Sequence, residues 1–207
     1  MQLMKNLNQT PTTRFLLAAL SASFLLQSIA SAVSQELANP AMEASTQGRA
    51  ILQKHAKAGE AAAQFELGRK CEFGIDARAN PRVAAHWYRL AADQGLARAE
   101  YSLGRLYFSG EGVRQDRAEA VKYFRRAAVQ GYALAQHRLG RAYERGLGVP
   151  QDLVEAHRWY SLAADANGLA SSQLSLKSLE SNMTEVQVTQ ARARSAKLIA
   201  VNGSKNN

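Results

Sequence analysis

The chain has 207 residues, of which 46% are hydrophobic, and a formal net charge of +9 from 26 lysines and arginines against 17 aspartates and glutamates. This length suits one domain, and the single cysteine excludes an internal disulfide. Because acidic residues are interleaved with the basic ones throughout, the simplest interpretation of the charge is that it keeps a small domain soluble.

Residues 1–32 have the pattern of a secretory signal peptide. Lys5 and Arg14 precede an uncharged run, residues 15–26, and a small-x-small motif ends at Ala32. We predict cleavage after Ala32 and a periplasmic or secreted protein, whose net charge falls to +7 because two bases and no acid are removed. An uncleaved anchor is the alternative, although the strongly apolar part is short for a membrane span.

The next stretch is predicted as a flexible leader over residues 33–44, since Pro40 interrupts any early helix. From residue 45 to residue 59 the pattern becomes helical. It aligns with the second half of the units that follow, so we predict a half-unit that caps the N-terminal end of a stack.

Three units then repeat with a period of 36 residues, at 60–95, 96–131 and 132–168. A fixed period in this range indicates stacked supersecondary units. The recurring positions include a glycine, an alanine and an aromatic pair in each unit: Gly68, Gly104 and Gly140; Ala84, Ala120 and Ala156; Trp87–Tyr88, Tyr123–Phe124 and Trp159–Tyr160.

The first half of each unit predicts an amphipathic helix. In the middle unit Ala99, Leu103 and Tyr107 lie at helical spacing and form one apolar stripe. Gly104 lies inside this helix at a cost of about 1 kcal/mol relative to alanine, so we predict that a second helix approaches closely there. Gly110 is expected to end the helix in the left-handed conformation.

The second half of each unit predicts another helix with its own N-terminal cap. Asp116 and Asp152 are each followed three residues later by glutamate, as in a capping box, and Asn80 precedes a proline suited to the first helical position. The alanines of this helix allow close packing. Its aromatic pair is expected to fill the gap to the next unit.

The composite pattern A-x-x-x-L-G-x-x-Y-x-x-G-x-G-V-x-x-D-x-x-x-A-x-x-[WY]-[YF]-x-x-A-A-x-x-G resembles the Sel-one-like repeat, a relative of the tetratricopeptide repeat. The resemblance implies an all-α fold, a right-handed α-solenoid of stacked antiparallel helix pairs like the tetratricopeptide superhelix. Unit 1 departs most, with Cys71 for the tyrosine, Asp76 for the second glycine and Ala77 for the valine. Aspartate tolerates the left-handed conformation, so the turn is expected to survive.

After Gly168 the repeat decays, and residues 169–201 are predicted as two C-terminal capping helices. Thr184 and Gln187 form a capping box for the last helix, which we expect to end near Val201. Residues 202–207 are predicted as a disordered tail.

No catalytic or metal-binding constellation appears in the sequence, and no cofactor is predicted. The four histidines do not cluster at ligand spacing, and nucleophile motifs such as Gly-x-Ser-x-Gly and Ser-x-x-Lys are missing. Cys71 lies on the apolar stripe, which predicts a small core residue. An intermolecular disulfide or redox switch is the alternative.

The resemblance implies a non-catalytic protein–protein interaction scaffold, because Sel-one-like proteins commonly act as adaptors in signalling, envelope assembly and polysaccharide export. We therefore predict an adaptor of the bacterial cell envelope whose partner is another protein, with regulation of a membrane signalling or cell-wall system as one role. The alternative is a structural protein that binds the cell wall or an anionic glycan. A β-lactamase-like hydrolase is less favoured, because such relatives carry paired cysteines. An exported protein is not expected to meet nucleic acid, and no transmembrane span is predicted after signal cleavage.

By resemblance, the first helices line a concave groove that is expected to bind the partner. One column of an arginine in each unit is predicted to bind an extended acidic peptide, since arginine grips carboxylates with paired hydrogen bonds. In the alternative, each arginine pairs with a nearby glutamate such as Glu66 or Glu100. The predicted groove residues are Phe65, Arg69, Tyr101, Arg105, Phe108, His137 and Arg141.

Overall fold

The computed structural model describes the backbone of residues 40–75, 77–167 and 170–203, and the side chains of residues 47–75, 77–164 and 170–195. The predicted signal peptide, most of the predicted leader and the tail from residue 204 lie outside the described residues. So does Asp76, with the turn conformation predicted for it.

All secondary structure in the described ranges is helical. The helices are α1 Pro40–Lys57, α2 Ala61–Phe73, α3 Pro81–Asp93, α4 Ala97–Ser109, α5 Arg117–Val129, α6 Ala133–Arg145, α7 Leu153–Asn167, α8 Ala170–Ser181 and α9 Glu185–Gly203. Helix α1 begins at Pro40, ahead of the expected start at residue 45, because proline is tolerated in the first turn of a helix. None of the described helices is long and apolar enough to cross a membrane.

The chain divides into two compact units, Met1–Ile51 and Leu52–Asn207, and all three repeats lie in the second. There, helices α2 and α3, α4 and α5, and α6 and α7 pack as pairs, and α3 with α4 and α5 with α6 join one pair to the next. Helices α8 and α9 both pack on α7. This consecutive packing confirms the predicted all-α helical repeat solenoid.

The glycine inside each first helix accommodates an aromatic ring from the second helix of the same repeat. A Cβ atom at Gly104 would lie 2.8 Å from the ring of Phe124, and one at Gly68 would lie 2.7 Å from the ring of Tyr88. The predicted close approach is confirmed. Its cause is a ring that lies so close to the helix backbone that a Cβ atom would clash with it.

In repeats 2 and 3 the loop between the two helices packs against the repeat before it. A Cβ atom at Gly112 would lie 2.4 Å from the carbonyl oxygen of Pro81, and one at Gly148 would lie 2.3 Å from that of Arg117. Both glycines have positive φ. The second glycine of the turn is therefore required by contact between repeats as well as by backbone conformation.

The predicted N-caps of the second helices are confirmed. The Asp116 side chain accepts a hydrogen bond of 2.9 Å from the backbone N–H of Glu119, and Asn80 accepts one of 3.2 Å from Val83. Asp152 caps α7 in the same way. These caps satisfy N–H groups that a helix leaves unpaired at its first turn.

The C-terminal helices follow the predicted pattern. The capping box of α9 is complete, because the backbone N–H groups of Thr184 and Gln187 each donate to the other residue's side chain. Ala191 on its predicted apolar face is fully buried, and the helix continues to Gly203.

In repeats 1 and 3 the aromatic pair of the second helix faces two directions, whereas the sequence suggested only the next unit. Trp159, 4% exposed, packs backward in a cluster that includes Val121 of the preceding repeat. Tyr160 packs forward, in a cluster with Leu179 of α8. Adjacent positions on a helix point about 100° apart, so one residue of the pair serves each interface.

Candidate protein-interaction site

Three of the predicted groove residues occupy equivalent positions in the three repeats and lie against the core of their own repeat: Phe65, Tyr101 and His137. The rings of Phe65 and Tyr88 have centroids 5.6 Å apart, those of Tyr101 and Phe124 5.9 Å, and those of His137 and Tyr160 5.2 Å. Phe65 is buried, whereas Tyr101 and His137 are half-buried. This column is thus shared between the core and the surface.

Arg69 follows the alternative interpretation of the arginine column. Its guanidinium lies 3.2 Å from the carboxylate of Glu66, one helical turn earlier, and both side chains are 44% exposed. An exposed pair of this kind contributes little stability, but it provides Arg69 with a carboxylate from its own repeat.

Arg105 joins two repeats. Its guanidinium donates to Oε1 of Glu72, and the hydroxyl of Tyr88 donates to Oε2 of the same carboxylate at 2.7 Å. The Glu72 side chain is only 6% exposed. Burial, and then the bond to Glu72, raises the pKa of Tyr88 well above its usual range. We name Tyr88, Glu72 and Arg105 the junction triad.

Arg141 differs from the other two arginines. It is exposed, and it makes no hydrogen bond or ion pair with any residue that the structure describes. The position equivalent to Glu72 holds Phe108, which cannot supply a carboxylate. The nearby carboxylate of Glu144 instead accepts a hydrogen bond of 2.7 Å from the hydroxyl of Tyr160.

Two more arginines stand on the same side of α6 at spacings of three and four residues. Arg138 is half-buried and Arg145 is exposed, and neither forms a hydrogen bond or ion pair within the described part of the chain. We name Arg138, Arg141 and Arg145 the arginine ridge. Burial, followed by the charges of Arg138 and Arg141, lowers the pKa of His137.

Phe108 is half-buried on α4, at the position equivalent to Glu72 of repeat 1. Its ring centroid is 6.4 Å from that of Phe124, and the guanidinium of Arg117 lies 5.6 Å from the Phe108 ring centroid. The Arg117 guanidinium thus stands next to a partly exposed aromatic ring, an arrangement suited to a ligand with both acidic and apolar parts.

Glu100 does not pair with the arginine column. Its carboxylate, 2% exposed, accepts hydrogen bonds of 2.8 Å from Nε of Arg126 and from the side chain of Gln130. Arg126 also donates to the carbonyl oxygen of Ala92 at 2.7 Å. This cluster around a buried carboxylate links repeats 1 and 2, and it was not predicted from the sequence.

The other repeats hold a glutamine where Glu100 stands. Gln64 and Gln136 donate through their side-chain amides to the carbonyl oxygens of Ala56 and Ala128, at 3.2 and 3.1 Å. A carboxylate cannot donate, so in repeat 2 an arginine takes over this bond. The sequence carried a signal of this exchange. Repeat 2 has glutamate at position 100, where the other two repeats have glutamine, and arginine at position 126, where they have leucine.

A second unpredicted cluster joins α7, α8 and α9. His157, 2% exposed, lies 2.9 Å through Nε2 from Oε1 of Glu180 and 3.3 Å through Nδ1 from the hydroxyl oxygens of Ser161 and Ser195. Hydrogen bonds from Arg192 and then His157 lower the pKa of Glu180. Serine, histidine and glutamate also occur in hydrolytic triads, but both serines are buried, so this arrangement serves to fasten the C-terminal helices.

Cys71 is half-buried and packs against two of the core clusters, as a small core residue would. Within the described ranges, no three histidine, cysteine, aspartate or glutamate side chains form a group that could hold a metal ion.

The Sel1 repeat family matches residues 61–96, 97–132 and 133–168, just over half of the sequence. The chain belongs to the Sel1 repeat family. The family repeats begin one residue after the repeat boundaries proposed from the sequence. Sel1 repeats form a helical scaffold for protein interaction that is generally non-catalytic.

Two solved structures are similar to this Sel1 repeat chain. One is c5321, described as a protective antigen present in uropathogenic Escherichia coli strains and displaying an SLR fold, with 33% identity and a TM-score of 0.68 over 72% of this chain and 32% of that one. The other is a Sel1 repeat protein from Oxalobacter formigenes, with 39% identity and a TM-score of 0.59 over 64% of this chain and 98% of that one. This chain therefore spans about a third of the length of the first. No functionally curated protein matches it.

Proposed function

We propose that this protein is an exported, non-catalytic adaptor of the bacterial cell envelope that binds another protein through its first-helix face, the outward side of α2, α4 and α6. The observation that carries the proposal is the arginine ridge of α6, whose cationic groups form no hydrogen bond or ion pair with the residues that the structure describes. The half-buried ring of Phe108 adds an aromatic surface on the first helix of the preceding repeat. Arginine and aromatic residues are enriched where proteins bind one another.

The binding face is tested by photo-crosslinking in cells that produce the protein. A photoreactive amino acid at Ser109, exposed at the end of α4, should yield a defined adduct with one partner protein. The matched control is the same substitution at Lys122, whose side chain is 71% exposed on α5 and should yield none. Adducts from position 122 alone would assign binding to the second helices.

Export is supported by the signal-like N-terminal sequence, and it would agree with the description of one solved relative as a protective antigen. We expect the tagged protein in the periplasmic or secreted fraction, with a new N-terminus near Val33. N-terminal sequencing of the fractionated protein checks this. Full-length chain starting at Met1 in the cytosol would contradict export.

A further inference from the structure

We infer that the junction of repeats 2 and 3 binds a carboxylate on an acidic peptide segment of the partner protein, with Arg141 as the residue that grips it. This inference rests on the proposed function and narrows the binding site from the whole first-helix face to the junction of repeats 2 and 3. It follows from comparing the two junctions, which are built from equivalent positions but differ in their side chains.

The junction of repeats 1 and 2, which we call the first junction, shows how the arginine is paired when the glutamate and the tyrosine are both present. Glu72 extends from α2 to Arg105 of the next repeat, and the Tyr88 hydroxyl holds the other carboxylate oxygen. Arg105 is therefore neutralised within the protein. The backbone geometry of the stack evidently places the carboxylate at position 72 within reach of an arginine 33 residues later.

The second junction keeps the arginine and loses both the glutamate that pairs with it and the tyrosine that holds this glutamate. Position 108 holds phenylalanine in place of glutamate, and position 124 holds phenylalanine in place of tyrosine. The two changes belong together, because the tyrosine hydroxyl has no function at this place without the carboxylate. Arg141, 33 residues after Phe108, is left exposed and without an internal carboxylate among the described residues.

Repeat 3 confirms that the tyrosine and the glutamate go together. Tyr160 and Glu144 restore the pair and bond each other at 2.7 Å. Helix α8 carries no arginine to complete a triad, so Glu144 remains with its own tyrosine. Glu144 forms no ion pair with Arg141, although the two are one helical turn apart.

The ligand that fits Arg141 is a side-chain or terminal carboxylate of a peptide. In the first junction this carboxylate arrives on the flexible apolar stem of a glutamate and accepts a hydrogen bond from the hydroxyl of Tyr88. At the second junction the half-buried ring of Phe108 stands at the position of that glutamate and offers an apolar surface, and Arg138 and Arg145 flank Arg141 along α6 for further acidic groups. A peptide supplies apolar stems and closely spaced carboxylates together, whereas each carboxylate of a polyuronate is held on a rigid, hydroxylated ring.

The first test uses fluorescence anisotropy with a labelled hexaglutamate peptide and, as uncharged match, hexaglutamine. At low salt we expect hexaglutamate alone to bind, and Arg141→Ala to raise its Kd at least tenfold, about 1.4 kcal/mol. Arg69→Ala is the matched control. It removes the same charge from the equivalent position, but from an arginine already paired with Glu66, so its Kd should change less than twofold.

The second test rebuilds the missing triad inside the protein. The double variant Phe108→Glu, Phe124→Tyr supplies Arg141 with an internal carboxylate and should raise the Kd for hexaglutamate at least tenfold. Circular dichroism should show an unchanged helical content. The variant thus separates loss of the site from loss of the fold.

Four results would overturn the inference. They are absence of hexaglutamate binding to the wild type, equal losses in the Arg141→Ala and Arg69→Ala variants, full binding by the rebuilt variant, and dependence on Arg141 for polygalacturonate but not for hexaglutamate. If the crosslink from position 109 persists in these cases, the adaptor proposal stands and only the site is wrong. If that crosslink is also absent, the proposed function fails.

Discussion

The buried carboxylate of Glu100 shows how one residue change within a repeat is balanced by another. Repeats 1 and 3 use a glutamine amide to satisfy a carbonyl oxygen of the preceding second helix, and repeat 2 uses Arg126 for the same bond while Arg126 also neutralises Glu100. A buried charge left without its partner is costly. The two residues should therefore be strongly coupled energetically.

Removing Arg126 alone should destabilise the protein much more than reverting both residues. We expect Arg126→Leu to lower the free energy of unfolding by about 3–5 kcal/mol, because Glu100 keeps only Gln130 as a donor. The double variant Glu100→Gln, Arg126→Leu reproduces the arrangement of repeats 1 and 3 and should recover most of that loss. Urea unfolding of both variants measures the coupling, and strictly additive effects would contradict this account.

His137 should make stability depend on pH. Its folded-state pKa lies below the ordinary value of about 6.5, chiefly because of burial and then because of Arg138 and Arg141. The unfolded chain therefore binds this proton more readily than the folded protein, and stability is lost as pH falls through about 6.5. His137→Phe introduces the residue type found at the equivalent position of repeat 1 and abolishes this titration.

The measurement is the urea midpoint of the wild type and of His137→Phe at pH 7.5 and pH 5.5. We expect the wild type to lose more stability than the variant between these two values. Glu180 does not contribute in this window, because its pKa is lowered from about 4.5 and its contribution is lost only at more acidic pH. Equal losses in both proteins would show that His137 does not sense pH.

At the scale of the helix, the aromatic pair of the second helix in repeats 1 and 3 joins its repeat to the helices on both sides. Trp159 is buried between α5, α6 and α7, whereas Trp87 is partly exposed and packs on Ala56, Ala63 and Leu67 at the N-terminal end of the repeats. The two tryptophans occupy equivalent positions but do not bury equal areas, because the half-unit before repeat 1 provides less to pack against.

Truncating the buried tryptophan should therefore be the more damaging change. We expect Trp159→Ala to cost about 3–5 kcal/mol, in the range for large aromatic residues in protein cores, and Trp87→Ala to cost clearly less. Urea unfolding of the two variants gives both values. An equal or larger loss for Trp87→Ala would contradict the assigned packing.

The helices, their caps and the close approach at the glycine inside each first helix could be predicted from the sequence because they depend on residues within one repeat. Asp116, Asn80 and Gly104 are examples in which local chemistry decides the structure. The partners of Arg105 and Arg126 could not be predicted in the same way. They lie in the adjacent repeat, and their choice depends on which side chains the stack brings together.

The role of the arginine column could be predicted only in part, because the partner of each arginine depends on which side chains the stack brings close to it. Sequence spacing suggested one ladder of three equivalent arginines. The structure shows three different environments, in which Arg69 pairs within its helix, Arg105 pairs across a junction and Arg141 has no carboxylate among the described residues. Whether the arginine column binds a partner stays a prediction. Among its three members, Arg141 is the one for which the described residues supply no carboxylate.

At the scale of the whole molecule, the repeats share their cores, so none of them buries its apolar surface alone. Residues from repeats 1 and 2 form one cluster, and residues from repeats 2 and 3 form another. The stability of such a stack resides largely in the interfaces between neighbours. The proposed carboxylate site, with Phe108 in repeat 2 and Arg141 in repeat 3, exists only while those repeats remain stacked.

That the repeats act as one scaffold is tested most directly by unfolding observed from both ends of the stack. The chain has two tryptophans, Trp87 in repeat 1 and Trp159 in repeat 3. Trp87→Tyr and Trp159→Tyr each leave one of them, and repeat 2 already holds Tyr123 at this position. In each variant we predict that the urea transition of tryptophan fluorescence coincides with the loss of helical circular dichroism. A fluorescence transition clearly separated from the loss of helix in either variant would show that the repeats unfold independently and would contradict the account.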